Sequence, residues 1–225
     1  MRSLLVRHAE PAARAPSCVV CLPGAYHEAA DLVSAGFDSR VRQRALPIDL
    51  TFVDVDSSHL DDRRPFDQLK HEIVLPARAM GYRSIWMAGI SLGGFIALDY
   101  AASNPGDLDG VCLLAPYLGS RMLIREIAAA SGLAAWAAGP CAESDEERRI
   151  WRFIQARHPL VRGAHARPWY RPSLYLGYGR EDRFSDAHRL MAEALPAGAV
   201  DVVPGGHDFA TWTVLWENFL DARFV

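Results

Sequence analysis

Ser91 lies in a segment whose residue spacing suits a nucleophile. It occurs in Gly89-Ile90-Ser91-Leu92-Gly93-Gly94, between an apolar, strand-like run and a segment with helical periodicity. This is the pattern G-x-S-x-G in the strand-turn-helix context that a nucleophile elbow requires. Side chains at positions 89 and 93 of so tight a turn would collide with neighbouring backbone, and glycine has none. The sequence therefore predicts that Ser91 is held at the tip of a strained turn, where its hydroxyl can attack a substrate.

A candidate base and a candidate orienting carboxylate follow two later apolar runs. A serine hydroxyl is a poor nucleophile at neutral pH, so it needs a base, and the base needs a carboxylate to orient it. The run SLYLGY leads into GRED, which ends at Asp182, and the run AVDVVP leads into GGHD, which contains His207. We predict that His207 is the base and that Asp182 orients it, with the adjacent Glu181 as an alternative. Asp208 follows the histidine too closely to orient its ring.

The elements that must position these residues alternate between strand-like and helix-like segments. Apolar, β-branched runs occur at 3–8, 17–22, 48–55, 84–89, 108–116, 173–178 and 199–204. Helical periodicity occurs at 27–44, 66–80, 92–103, 186–195 and 209–223. This alternation predicts an α/β fold with a mostly parallel central sheet and helices on both faces. Ligands of such sheets bind beyond the carboxyl ends of the strands, which is where all three candidate residues are predicted to lie.

One stretch interrupts the alternation and predicts a small helical cap inserted at about 120–172. It contains helix-like pieces, a break at Gly139-Pro140 and the capping-box pattern Ser144-x-x-Glu147. We expect the whole chain, 1–225, to form a single domain with this cap above the sheet. Four aromatic residues in it are candidates for an apolar substrate pocket, although such residues more often belong to a core: Trp136, Trp151, Trp169 and Tyr170. Three arginines either steer an anionic substrate or form a solvated face: Arg162, Arg167 and Arg171.

The chain resembles the α/β-hydrolase superfamily over nearly all its length. The segments GISLGG, GRED and GGHDFATW match the elbow, acid and histidine loops of that superfamily, and the last is similar to the GGHDW loops of esterase D and related carboxylesterases. The chain order Ser91, Asp182, His207 is also that of the α/β-hydrolases. The resemblance implies an α/β-hydrolase fold and a serine esterase of the carboxylesterase type.

The resemblance also implies where an oxyanion hole would lie. The segment CLPGAY at 21–26 follows the strand that the family counts as its third, where members place a loop whose backbone N–H faces the oxyanion. Ala25 or Tyr26 would then supply one donor, and Leu92, next to the nucleophile, the other. Losing one such donor typically costs about 3–4 kcal/mol of transition-state stabilisation. The sequence lacks the His-Gly-Gly-Gly loop of some lipases.

A second motif, near the start of the chain, favours a different chemistry. The segment LLVRHAEP resembles the opening of the histidine phosphatases, in which a histidine takes the phosphoryl group and an arginine holds its oxygens. His8 would be that histidine and Arg7 that arginine, with His207 as a second histidine. This alternative leaves the elbow and the acid turn unexplained, whereas the hydrolase needs residues 3–9 only as a strand.

Composition narrows the classes of partner. Half of the 225 residues are hydrophobic, as in a globular protein. The formal net charge is -3, so the chain has no excess of positive charge with which to bind nucleic acid. Neither a signal-peptide run nor an apolar stretch long enough to cross a bilayer is present, and we expect a cytoplasmic protein that does not bind membranes. Four cysteines are expected to be small core residues rather than a zinc or redox site: Cys18, Cys21, Cys112 and Cys141.

These observations predict a serine hydrolase that cleaves a small carboxylic ester, or a thioester, through an acyl-enzyme. The reaction calls for no metal and no organic cofactor. Its partner is the small-molecule substrate, and a homodimer is left open. The remaining histidines, among them His27 and His188, follow no strand end and are predicted to be surface or packing residues. An alternative of another class is a hydrolase-fold binding protein without catalysis, although such proteins commonly lose one of the three candidate residues and this sequence keeps all of them.

Overall fold

The described residues form a central sheet of seven strands, and the ends of every strand lie within two residues of the predicted ones. The computed structural model describes residues 1–7, 15–55, 63–140, 142, 144–162 and 171–225. The strands are β1 Arg2–Val6, β2 Ser17–Leu22, β3 Ile48–Asp54, β4 Ser84–Ile90, β5 Gly110–Leu114, β6 Ser173–Gly179 and β7 Val200–Val203. Apolar and β-branched residues dominate most of them, as expected for strands buried on both faces.

The sheet order is β1-β3-β2-β4-β5-β6-β7, and every neighbouring pair except β1 and β3 is parallel. The predicted α/β fold with a mostly parallel sheet is therefore confirmed. Register aligns the carboxyl ends of the parallel strands through the pairs Leu22–Gly89, Ile90–Leu114, Leu114–Gly177 and Gly179–Val203. The loops after β2, β4, β6 and β7 consequently emerge at one edge of the sheet.

Helices cover both faces of this sheet. Their bounds are α1 Ala29–Ser34, α2 Phe37–Gln43, α3 Arg64–Gln68, α4 Leu75–Ala79, α5 Leu92–Ser103, α6 Arg121–Ala129, α7 Glu146–Gln155, α8 Pro159–Arg162, α9 Ser185–Ala192 and α10 Phe209–Phe224. Alternate residues of each buried strand belong to two hydrophobic cores, one on each face of the sheet. Val20 and Met87 pack with α5 and α7 on one face, while Val19 and Ala88 pack with α10 on the other. Among the described residues, no helix combines the length and apolar character needed to cross a membrane.

Two of the predicted helices are interrupted. The segment 27–44 forms α1 and α2 because Gly36 adopts a left-handed conformation, with φ of +82°, between them. A π-helical turn, Leu69–Val74, separates α3 from α4. Pro76 has no N–H to donate to the carbonyl four residues earlier. The turn just before it therefore takes the wider π-helical form.

The region between β5 and β6 carries α6, α7 and α8, and residues 163–170 lie outside the described residues. Helix α7 begins one residue later than the predicted capping box, since the cap is Asp145, whose side chain accepts the Arg148 N–H at 3.0 Å. Glu147 instead accepts the Ser120 N–H at 2.9 Å and so connects α7 to the start of α6. Ile150 and Ile127 are buried in the same core as α5. The cap at 120–172 stays a prediction.

The three described cysteines, Cys18, Cys21 and Cys112, are free and buried, which confirms them as core residues. Burial raises the pKa of the Cys18 thiol to about 11. The described residues contain no group of three or more side chains that could hold a metal ion. Cys141 lies outside the described residues.

Candidate active site

Ser91 occupies a strained position between β4 and α5, as the glycine spacing predicts. Its φ of +49° is rare for a residue with a side chain, and the strand before it and the helix after it hold it there. A Cβ at Gly89 would lie 2.2 Å from the Gly93 carbonyl oxygen, and a Cβ at Gly93 would lie 2.4 Å from the Leu22 carbonyl oxygen. Only glycine fits at these two positions, because backbone cannot move aside as a flexible side chain can.

The structure brings the three residues of the predicted triad, Ser91, His207 and Asp182, within hydrogen-bond distance in that order. The His207 Nε2 lies 2.9 Å from the Ser91 Oγ, and the His207 Nδ1 lies 2.8 Å from the Asp182 Oδ2. The register of β4, β6 and β7 places the loops that carry them at the same edge. Glu181, the alternative acid, points elsewhere and accepts the Gly205 N–H at 2.6 Å.

Asp182 is held as a carboxylate although it is buried. Burial raises its pKa, but the hydrogen bond to His207 and the Phe184 N–H, which donates to Oδ1 at 2.8 Å, outweigh burial and lower that pKa below its ordinary value. Each carboxylate oxygen therefore has a fixed donor. A charged Asp182 favours the His207 tautomer that carries its proton on Nδ1, which leaves Nε2 free to accept the serine proton.

Comparisons with solved structures agree with this architecture. FphF, a fluorophosphonate-binding serine hydrolase of Staphylococcus aureus, superimposes with a TM-score of 0.60 at 13% identity, covering 92% of this chain and 83% of its own. Est1E of Butyrivibrio proteoclasticus gives 0.60 at 13% identity, covering 98% and 93%. A serine hydrolase homologue of Coxiella burnetii gives 0.61 at 12% identity, covering 98% and 90%. The chain has the α/β-hydrolase fold.

Sequence comparison adds nothing to this conclusion, since no protein-family model and no curated protein matches the chain. At 12–13% identity these structural neighbours are evidence for the α/β-hydrolase fold alone.

In this α/β-hydrolase fold the loop after β2 lies against Ser91. A Cβ at Gly24 would stand 3.4 Å from the Cβ of Ser91, so the Gly24 backbone already packs beside it. No hydrogen bond between described residues uses the N–H of Ala25 or of Leu92. Tyr26 has a φ of +65° and a fully exposed side chain. Free N–H groups beside Ser91 suit an oxyanion hole, whose assignment to Ala25, or Tyr26, and Leu92 stays a prediction.

Two aromatic rings that sequence reasoning missed hold the His207 imidazole. The rings of Phe184 and Trp212 each lie 5.1 Å from it, centroid to centroid, and both contact it edge to face. Phe184 follows Asp182 by two residues, and Trp212 lies on α10, which begins just after the loop that carries His207. Neither ring stands out in the sequence, because aromatic residues at such positions are common in cores.

Two of the four aromatic residues predicted to line a substrate pocket, Trp136 and Trp151, are buried in the core. Trp151 is 0% exposed and donates its indole N–H to the Leu118 carbonyl at 2.7 Å, while Trp136 is 4% exposed and donates to Glu126 at 2.9 Å. Core packing thus accounts for both rings, and the substrate-pocket prediction for them is corrected. Trp169 and Tyr170 lie outside the described residues.

The direction of strand β1 argues against the histidine-phosphatase alternative. Strand β1 runs antiparallel to β3 and pairs Val6 with Leu50, so it ends at the amino edge of the parallel strands. Arg7 therefore leaves the sheet at the edge opposite to His207, and it is exposed. His8 lies outside the described residues, but the strand before it leads away from the triad.

His188, on α9, is a buried histidine that the chemistry above does not use. Its Nε2 donates to the Pro116 carbonyl at 2.8 Å, and its Nδ1 is buried without a partner among the described residues. Burial is the main reason that its pKa falls to about 4 from the ordinary value of 6.5. Of the two predicted roles, surface or packing, the structure shows packing, since His188 is 0% exposed.

We expect His188 to make the fold sensitive to acid. The unfolded chain binds a proton below about pH 6.5 and the folded chain only near pH 4, so stability present above pH 6.5 is lost as the pH falls toward 4. The full loss from this group is about 3 kcal/mol. Urea unfolding at pH 7 and pH 4.5 should show a smaller difference for His188→Gln, which keeps a donor for Pro116 but cannot titrate.

The exposed His71 supplies the control, because His71→Gln should retain the pH dependence of the parent. An unchanged difference between pH 7 and pH 4.5 in His188→Gln would contradict this prediction.

Proposed function

We propose that this protein is a serine hydrolase that cleaves a small carboxylic ester, or a thioester, through an acyl-enzyme. One observation carries the proposal: a serine on a strained turn lies 2.9 Å from an imidazole, which in turn lies 2.8 Å from a buried carboxylate. Three side chains that are far apart in the sequence meet at hydrogen-bond distance in the order that acyl transfer requires. Packing alone gives no reason for such an arrangement at the carboxyl edge of the sheet.

The geometry supports a two-step reaction. The Ser91 Oγ attacks the substrate carbonyl carbon while its proton passes to the His207 Nε2, and Asp182 stabilises the imidazolium that forms. The N–H groups of Leu92 and Ala25 would stabilise the negative charge on the former carbonyl oxygen. The leaving alkoxide or thiolate then takes the proton from His207. Water, deprotonated by His207, attacks the acyl-enzyme and releases the acid.

The structural neighbours support ester hydrolysis in general terms. Among them are a ferulic acid esterase, which shares 16% identity, and S-formylglutathione hydrolases of Staphylococcus aureus and Agrobacterium tumefaciens, which share 13% and 14%. Their names cover both oxygen esters and a thioester, so they favour the reaction class without selecting a substrate. The carboxylesterase type and the cytoplasmic location remain proposals, as does a small molecule as the partner.

Covalent labelling tests this function directly. A fluorophosphonate probe should label the folded wild-type protein, and peptide mapping should place the adduct on Ser91. His207→Ala should lower the labelling rate by at least about 10³-fold, because the hydroxyl then has no base. His158→Ala is a matched histidine control, since His158 is not part of the triad and contacts the backbone of Leu160.

Failure of folded wild-type protein to label would overturn the proposal. It would leave the chain as a hydrolase-fold binding protein without acyl transfer.

A further inference from the structure

A cavity of about 510 Å³ is lined in part by two residues that contact the triad, Tyr117 and Phe184. One wall is formed by residues between Tyr117, just after β5, and Arg125, on α6. The other wall is formed by residues from Arg183 to Ala187, at the start of α9. The volume is large enough for the acyl or leaving group of a small ester.

Direct contacts join this cavity to the reacting residues. The Tyr117 N–H donates to the Ser91 carbonyl at 2.9 Å, so one wall is fixed to the nucleophile turn. Phe184 in the other wall has its ring against His207, and it also contacts the Tyr117 ring at 5.7 Å. Both walls are therefore joined to the triad, so the cavity is adjacent to the place where the substrate carbonyl would react.

The walls carry three arginines that have no ion-pair partner among the described residues: Arg121, Arg125 and Arg183. Their side chains are exposed, and Arg183 lies over the Phe184 ring at 4.9 Å. Elsewhere in the described chain, arginines such as Arg40 and Arg63 are paired with carboxylates at 2.6 and 2.8 Å. These three unpaired cations line the cavity, where a bound molecule can reach them.

Carboxylates do little to neutralise this charge. Asp186 is the one acidic residue in the described walls, and its exposed side chain pairs with Arg189. Glu147 lies behind the wall, where its Oε1 accepts the Ser120 N–H at 2.9 Å and the Tyr117 hydroxyl at 3.2 Å. The cavity therefore presents an excess of guanidinium donors, whose planar fork suits a carboxylate.

We propose that the cavity selects substrates with a carboxylate on one arm of the ester or thioester, held by Arg121, Arg125 and Arg183. This proposal rests on the proposed hydrolase function and deepens it by naming the substrate class. The carboxylate would be bound before and during acyl transfer alike, so it should act mainly through KM. The sequence left such a role open for three other arginines. Of these, Arg171 pairs with Asp109, and the side chains of Arg162 and Arg167 lie outside the described residues.

Matched substrates separate charge from shape. On the acyl arm, p-nitrophenyl hydrogen adipate is compared with its neutral methyl ester. On the leaving-group arm, 4-acetoxybenzoate is compared with its methyl ester. We expect kcat/KM for the charged member of one pair to exceed that of the neutral member by at least about tenfold, as charge-assisted hydrogen bonds of this kind allow. The preference should shrink between 20 and 500 mM salt because the arginines are exposed.

Variants assign the preference to the cavity. The double variant Arg121→Gln with Arg125→Gln should reduce the ratio of charged to neutral substrate to about one, through a higher KM for the charged member only. Arg83→Gln with Arg152→Gln makes the same change in net charge at two exposed arginines outside the cavity walls and should keep the preference. Each variant is first checked by fluorophosphonate labelling, which reports an intact triad without needing the carboxylate.

The outcomes are distinguishable. Equal kcat/KM for charged and neutral members of both pairs overturns the carboxylate proposal and leaves the hydrolase function intact, as does a preference that survives in the Arg121 and Arg125 double variant. Absence of both hydrolysis and labelling overturns the hydrolase function itself and the carboxylate proposal with it.

Discussion

Ser91→Ala should abolish ester hydrolysis, with a loss in kcat on the order of 10⁶-fold, while the protein stays folded. The hydroxyl is the only group at the tip of the β4–α5 turn that can form an acyl-enzyme, and alanine tolerates the same backbone no worse than serine does. Residual turnover would come from binding and the oxyanion donors alone. Turnover of p-nitrophenyl acetate by purified variant and wild type, with circular dichroism of both, measures the loss.

His8→Ala is the matched comparison for this prediction. Because β1 ends at the edge of the sheet opposite to the triad, His8→Ala should leave turnover nearly unchanged. If His8→Ala removed activity and Ser91→Ala kept it, the histidine-phosphatase alternative would replace the hydrolase.

Asp182→Asn should lower kcat at neutral pH by about 10⁴-fold with little change in structure. The Phe184 N–H donates to Oδ1 at 2.8 Å, so the amide oxygen of an asparagine takes that position and its NH₂ faces the His207 Nδ1. The imidazole must then accept at Nδ1 and carry its proton on Nε2. In that tautomer it cannot take the proton from Ser91, and rate measurements across pH 6–9 should show the loss.

Glu181→Gln is the control for the acid, because it changes the neighbouring carboxylate in the same way. Glutamine can still accept the Gly205 N–H, so turnover should fall by less than about tenfold. A larger loss in Glu181→Gln than in Asp182→Asn would show that the acid had been assigned to the wrong residue.

The sequence predicts well whatever depends on local spacing. The glycines at 89 and 93 indicate the turn around Ser91, and the contacts that a Cβ would make there agree with the steric reason given for them. The strands are found because apolar, β-branched runs mark buried parallel strands whatever their neighbours are. Their carboxyl ends then determine which loops can meet.

Features that depend on contacts between distant segments escape prediction. Trp151 lies in an aromatic, helical stretch that also suits a pocket, and only the packing of α7 shows that it is core. Arg171 lies in a basic segment, yet it pairs with Asp109, 62 residues earlier. No local sequence pattern distinguishes the unpaired arginines on α6, because a sequence does not show which cations lack an ion-pair partner.

The close approach of Gly93 to the Leu22 carbonyl has a consequence for how this protein can change. This contact packs the turn around Ser91 so closely against the loop after β2 that a displacement of one must displace the other. Sequence variation among related proteins is therefore expected to leave the Gly93–Leu22 contact unchanged. It should instead occur in the cavity walls, where one exposed side chain can be replaced without moving its neighbours. Substrate specificity would then change through single substitutions in the cavity walls, while the turn around Ser91 and the loop after β2 stay the same.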